Sequence, residues 1–192
     1  MKKIIKNLAT AAFVAFVTFS FTTIEIDKKE IKTDKSKLVW KGYKVTGSHE
    51  GTINIESGSL IFDGDKLTGG EFVIDMTSLV STDLTGEYKG KLEGHLKSDD
   101  FFGVQNHPTS SLVFTEVSAS GKNAYDVTGD LTIKGKTNKV NFKISIYGSK
   151  ATASLKVDRA KYDVKYGSTS FFDDLKDKAI YDEFDLVADL EF

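Results

Sequence analysis

Three histidines, His49, His95 and His107, are the residues of this chain best suited to acid–base or metal chemistry. Their spacings of 46 and 12 residues match no metal-binding motif. His49-Glu50 also lacks the second histidine, three residues beyond the glutamate, that a zinc-hydrolase helix requires. Asp63-Gly64-Asp65 resembles the start of a calcium loop, but the later ligands are missing and the segment reads as a hairpin turn. Gly47-Ser48-His49-Glu50-Gly51 places His rather than Ser at the centre of the five, so it is no nucleophile elbow. With no Cys there is no thiolate nucleophile, no disulfide, no sulfur-ligated zinc and no iron–sulfur cluster. Glycine-rich phosphate loops are absent as well. The reading is no catalytic residue, no metal and no cofactor. A three-histidine metal site or a Ser–His–acid triad assembled by the fold stays open, since sequence order does not constrain either.

The elements that would position any site must follow from 192 residues with 14 Phe, 7 Tyr, one Pro and a formal charge of −2. That is one domain's length, rich enough in aromatics to exclude a disordered chain. It is too acidic for a general nucleic-acid binder, so no nucleic-acid partner is expected. Lys2, Lys3 and Lys6 precede an uncharged run from Asn7 to Ile24, the pattern of a secretory signal peptide. An uncleaved membrane anchor is the competing reading, weakened by Thr10, Thr18, Ser20, Thr22 and Thr23. The expected division is a signal peptide over 1–22 and a single domain over 23–192, in a periplasmic or secreted protein. Without a Cys to acylate, it is no lipoprotein. Loss of the three lysines takes the charge from −2 to −5 and leaves ten Phe.

Apolar residues alternate with period 2 along the rest of the chain. Val140, Phe142, Ile144 and Ile146 are the cleanest case. Ile53/Ile55, Phe72/Ile74/Met76, Leu112/Phe114, Leu131/Ile133 and Phe184/Leu186 repeat it. Turn signals fall at Ser57-Gly58, Asp63-Gly64-Asp65, Gly69-Gly70, Ser120-Gly121-Lys122-Asn123 and Tyr147-Gly148-Ser149. The expectation is an all-β fold: an antiparallel barrel of about eight strands with one or two short helices. One helix is predicted within 87–102, lying across a barrel end, and a second helical turn is predicted within Phe171-Phe172-Asp-Asp-Leu-Lys-Asp-Lys178, before the last strand.

A barrel of this size is packed solid or holds one small ligand. Trp40, Phe72, Ile74, Met76, Phe114, Ile133, Phe142 and Ile144 are the candidate wall, with Phe101, Phe102, Phe171 and Phe172 closing the mouth. Patterning does not separate a filled core from a pocket, because pockets are lined mainly by apolar residues.

Four ordered blocks then carry a family resemblance. They are Gly47-Ser-His-Glu-Gly51; Lys91-Leu-Glu-Gly-His-Leu-Lys-Ser-Asp-Asp-Phe-Phe102 with His107-Pro108; Val127-Thr-Gly-Asp-Leu-Thr-Ile-Lys-Gly-Lys-Thr137; and Asp158-Arg-Ala-Lys-Tyr162 through Tyr166-Gly-Ser to Phe171-Phe172. The chain resembles the YceI-like, lipocalin-like family. The resemblance implies an exported barrel that binds a polyisoprenoid or a related long amphiphile such as a quinone. It also implies a frequent homodimer, no established catalytic residue, and a membrane involved only as the source of the lipid. Arg159 matches the family's Arg block, and His95, Lys97 and Arg159 are the candidates for holding a polar head group. Pairing of Arg159 with an acid such as Asp158 or Asp163 is the competing role. Glu93-Gly94 departs from the Arg-Asp pair that many members carry, so no head-group role transfers to it. Three classes remain: a non-catalytic lipid-binding barrel, a barrel enzyme with a His general base acting on lipid, and a solid barrel that binds a partner on its surface.

Overall fold

The computed structural model describes residues 26–192; the signal-peptide reading of 1–22 lies outside them. The chain runs β1 (Ile26–Glu30), β2 (Lys37–Lys44), β3 (Gly47–Asp63), β4 (Lys66–Ser81), α1 (Gly86–Lys97), β5 (Thr109–Ala119) and β6 (Ala124–Ile133). It continues through β7 (Lys136–Tyr147), β8 (Lys150–Asp158) and β9 (Glu183–Glu191), with single 3₁₀ turns at Arg159–Tyr162 and Lys176–Lys178. β2 to β9 pair antiparallel in chain order, and β9 returns to β2, which closes an eight-stranded barrel. β1 lies on the same edge of β3 as β2 but farther along: Glu30 faces Ser59, whereas Leu38 faces Ile53. Closure leaves few free strand edges, which suits a chain that folds without disulfides.

The hairpins form where turn chemistry predicts them at Gly64, at 120–123 and at Gly148, both of these glycines having positive φ. Two predicted turns do not exist. Ser57-Gly58 lies within β3 and Gly69-Gly70 within β4. These glycines are there for space rather than for bending: a Cβ at Gly58 would lie 2.6 Å from the Phe72 ring, and one at Gly70 would lie 2.8 Å from the Phe114 ring. Strand glycines that admit a neighbouring ring are a known exception to the turn rule. Gly51 does the same for Trp40, whose ring would sit 2.6 Å from an added Cβ. That packing brings the indole Nε1–H to the Val80 carbonyl at 3.2 Å.

α1 crosses one end of the barrel. Leu96 is its buried residue, with Leu92 packed beside the same cluster. Glu93 holds the helix down by accepting a hydrogen bond from the Ser81 amide at 2.8 Å. Of the second predicted helical segment, 171–178, the last three residues, Lys176–Lys178, form a 3₁₀ turn and the Phe pair lies in the loop before it. The interior divides into two apolar clusters. One gathers Trp40, Met76, Leu96, Phe101 and Phe102 beneath the helix. The other gathers Phe62, Phe72, Ile144 and Leu190 toward the far end.

Candidate functional site

Inward-facing positions of the strands enclose two cavities. The upper one, about 120 Å³, lies beneath Leu96, Phe101 and Phe102. The lower one, about 90 Å³, is walled by Phe72, Leu112, Phe114, Phe142, Ile144, Ala153 and Ala188 among others. Leu38, Ile74, Leu131 and Leu186 line both, so the cavities meet at a waist of four aliphatic side chains on β2, β4, β6 and β9. Each is smaller than the roughly 300 Å³ of a drug-sized pocket, which suits a slim chain rather than a wide ring system. Met76, with three rotatable bonds, is the wall side chain most easily moved aside.

Ten of the twelve residues singled out from sequence are on these walls. Trp40, Ile74, Met76, Phe101, Phe102 and Ile133 line the upper cavity. Phe72, Phe114, Phe142 and Ile144 line the lower one, where the Phe114 ring packs against Phe72 and Phe142 at centroid distances of 5.8 and 5.5 Å. Phe171 and Phe172 are not on either wall; they sit exposed on the loop before β9, Phe171 beneath the Lys165 ammonium. A loop without strand periodicity gives the Phe pair no inward direction. Sequence reasoning passed over Leu38, Leu79, Leu96, Leu155 and Ser110. Ser110 had a signal: it precedes Leu112 and Phe114 by two and four residues, on the same face of β5.

The three candidate head-group residues do not converge. Lys97 ends α1 off the cavity wall, its carbonyl accepting from the Val104 amide. His95 lies off the wall, its ring edge-on to Tyr166 at 4.3 Å and to Phe101 at 5.6 Å, and its Nε2 has no polar partner among the described residues. Only Arg159 reaches the upper cavity. Its guanidinium is 2% exposed and donates to the Val164 carbonyl at 2.7 Å, the Ile180 carbonyl at 3.0 Å and the Tyr181 carbonyl at 3.2 Å. Burial pulls its pKa down while the charge of Asp182, 3.4 Å away, acts in the opposite sense. The acid beside it is thus Asp182. Asp158 instead caps the Ala160 amide, and Asp163 pairs with Lys165.

His49 also lies off both walls. Its Nδ1 bonds Asp83 at 2.8 Å, and Asp83 accepts from the Ser81 hydroxyl at 2.7 Å. Burial pushes the Asp83 carboxyl up, but hydrogen bonds from Ser81, His49 and the Glu50 amide outweigh it and leave the carboxyl below the ordinary aspartate value. Ser81 donates to the acid rather than to the imidazole, so this is not the order of a nucleophile–base pair. Burial drives the pKa of the Tyr162 hydroxyl, which has no hydrogen-bond partner among the described residues, up to about 12. Among the described residues no three acids or histidines gather as a metal site.

Comparison with known proteins agrees with this architecture. A family model described as YceI-like domain matches residues 17–192. UPF0312 proteins of Pseudomonas aeruginosa are 32% identical over 98 residues, 51% of this chain and 49% of theirs. One from Pseudomonas putida is 31% identical over the same length. The match thus spans about half the length of these curated relatives. Among solved structures, Burkholderia cenocepacia BcnA superposes with a TM-score of 0.67 at 23% identity, covering 83% of this chain and 98% of that one. A polyisoprenoid binding domain from Saccharophagus degradans, implicated in plant cell wall breakdown, gives 0.56 at 15% identity over 88% and 97%. Campylobacter jejuni YCEI protein gives 0.52 at 15% over 95% and 92%. At these identities the likeness is one of fold.

Proposed function

The chain belongs to the YceI-like domain family, and from that premise we propose that it is an exported, non-catalytic carrier of a polyisoprenoid or similar long amphiphile. The observation that carries the reading is the pair of apolar cavities inside the barrel that share four wall residues. The polyisoprenoid-binding name of the Saccharophagus neighbour supports the same ligand class, and the cationic, apolar N-terminus supports export.

The chemistry of holding is burial. Each CH₂ moved out of water contributes roughly 0.8 kcal/mol. A few isoprene units therefore reach the ~8 kcal/mol of micromolar binding and leave a margin for lost translational freedom. Branched and aromatic walls accept the methyl groups of such a chain, and the waist at Ile74 and Leu131 passes it from one cavity to the other. A tail in the lower cavity meets Phe72, Phe114 and Phe142 as its floor. The solid-barrel alternative lacks support because the interior is hollow at two places.

Trp40 lines the upper cavity and is the single Trp, so its emission reports occupancy. Titration of the purified chain with a detergent-dispersed C₂₀ isoprenoid alcohol is expected to change that emission saturably and to raise the Tm. Neither change at ligand concentrations up to about 100 μM would contradict the proposal, since binding that weak is below the range that burial of a few isoprene units supplies.

A further inference from the structure

Four buried polar side-chain atoms of the described residues lack a hydrogen-bond partner: His95 Nε2, Tyr162 Oη, Asp182 Oδ1 and Ser110 Oγ. Ser110 is the one of these on a cavity wall. It stands near the start of β5, opposite the waist residue Ile74, and is 7% exposed. The other buried polar side chains at this wall are committed, and Tyr181 is 54% exposed. The Trp40 indole donates to Val80, and the Arg159 guanidinium donates to three backbone carbonyls. The lower cavity offers apolar side chains alone. Burying a hydroxyl with no partner is unfavourable, and Ala would fit the same strand position without that loss.

We propose that Ser110 hydrogen-bonds an oxygen of the bound lipid, and that the ligand is an uncharged amphiphile held oxygen-up at Ser110 with its tail through the waist into the lower cavity. This rests on the lipid-carrier reading and deepens it. A phosphate ester does not suit the site, because the wall's cation is already engaged by carbonyls and Asp182. A plain hydrocarbon leaves the hydroxyl without a partner. A hydroxyl or carbonyl on a slim chain satisfies both conditions: it matches one neutral hydrogen-bonding group and leaves the rest of the wall apolar. Ser110 is thus a specificity residue that separates oxygenated chains from bare ones and neutral chains from phosphorylated ones.

The experiment compares geranylgeraniol, its phosphate ester and the C₂₀ hydrocarbon that lacks the hydroxyl, each titrated into the full chain and followed by Trp40 emission. Wild type is expected to bind the alcohol about threefold to tenfold tighter than the hydrocarbon, and tighter than the phosphate ester. Ser110→Ala is expected to abolish the alcohol's advantage while hydrocarbon affinity stays within about twofold. Ser110→Thr, which keeps a hydroxyl on a strand-compatible side chain, is expected to retain it. The assignment is overturned if the alcohol's advantage survives Ser110→Ala, or if wild type binds alcohol and hydrocarbon alike. Tighter binding of the phosphate ester also overturns it. Binding of none of the three contradicts the carrier reading itself and takes this assignment with it.

Discussion

The guanidinium of Arg159 lies over the ring of Phe101, 5.2 Å from its centroid. This contact joins the turn after β8 to the segment that follows α1 across the mouth of the barrel. Arg159 also fastens the return loop, because Val164, Ile180 and Tyr181 all give it their carbonyls. Arg159→Ala leaves those carbonyls without their donors and takes away the cation beside Asp182. The expected loss is about 3–5 kcal/mol, a Tm fall on the order of 10 °C. A thermal melt followed by circular dichroism checks it. A fall under about 2 °C would show that the loop does not depend on this residue.

Helix α1 carries Gly90 and Gly94 at positions where a Cβ meets nothing within 4 Å. Each Gly→Ala change is therefore expected to stabilise the helix by up to ~1 kcal/mol. If α1 is the cover over the upper cavity, stiffening it also slows lipid exchange. Stopped-flow transfer of lipid from wild type and from the Gly90→Ala/Gly94→Ala double variant measures this. An unchanged exchange rate in a stabilised variant would place the entry route elsewhere.

The strands and the all-β class were legible in the sequence because closed antiparallel barrels write a period of two into their strands. Val140 to Ile146 show it plainly, in the strand that pairs with β6 over Lys136–Ser145 and with β8 over Lys143–Tyr147. The same rule put Phe72, Phe114, Phe142 and Ile144 on one inner surface. It failed where glycine serves packing instead of turning, at Gly58 and Gly70, since the ring that fills the space comes from another strand. It failed again at Phe171 and Phe172, whose loop has no periodicity to give direction. The hollowness of the barrel was not legible at all: whether Leu38, Ile74, Leu131 and Leu186 touch or leave a gap depends on three-dimensional spacing that patterning does not contain. The role of Arg159 was equally hidden, because its partners are mainly carbonyls, which every residue possesses.

Gly58 and Gly70 themselves are testable. Ala at either position places a methyl within 3 Å of a Phe ring on the cavity side. Overpacking of this kind costs about 1–3 kcal/mol. A denaturant midpoint lowered by the corresponding amount is expected for each variant. If the midpoints stay at the wild-type value, the rings have room to move and the lower wall is softer than the packing implies.

Asp83 sets an acid-side dependence of stability. Its pKa is lowered in the folded state, so its contribution is fully present above the unfolded value of about 3.9 and is lost as pH falls through the folded value. Asp83→Asn is expected to melt below wild type at pH 7, with the gap narrowing below about pH 4 as the native carboxyl takes up a proton. Melts between pH 3 and 7 show it. A gap that is constant over that range would mean the loss is not one of charge.

The central claim is that the barrel interior holds a lipid chain along its two cavities. Ala153 and Ala188 line the lower cavity on neighbouring strands, opposite one another in register. Ala188→Phe fills that space and leaves the upper wall untouched. Native mass spectrometry of the chain, purified from cells that make it with its own N-terminus, is the direct measurement. The account predicts a 1:1 non-covalent adduct with the mass of a long isoprenoid-type amphiphile, lost or shortened in the Ala188→Phe variant. A bare polypeptide mass under the same gentle conditions, or an adduct unchanged by filling the lower cavity, would contradict it.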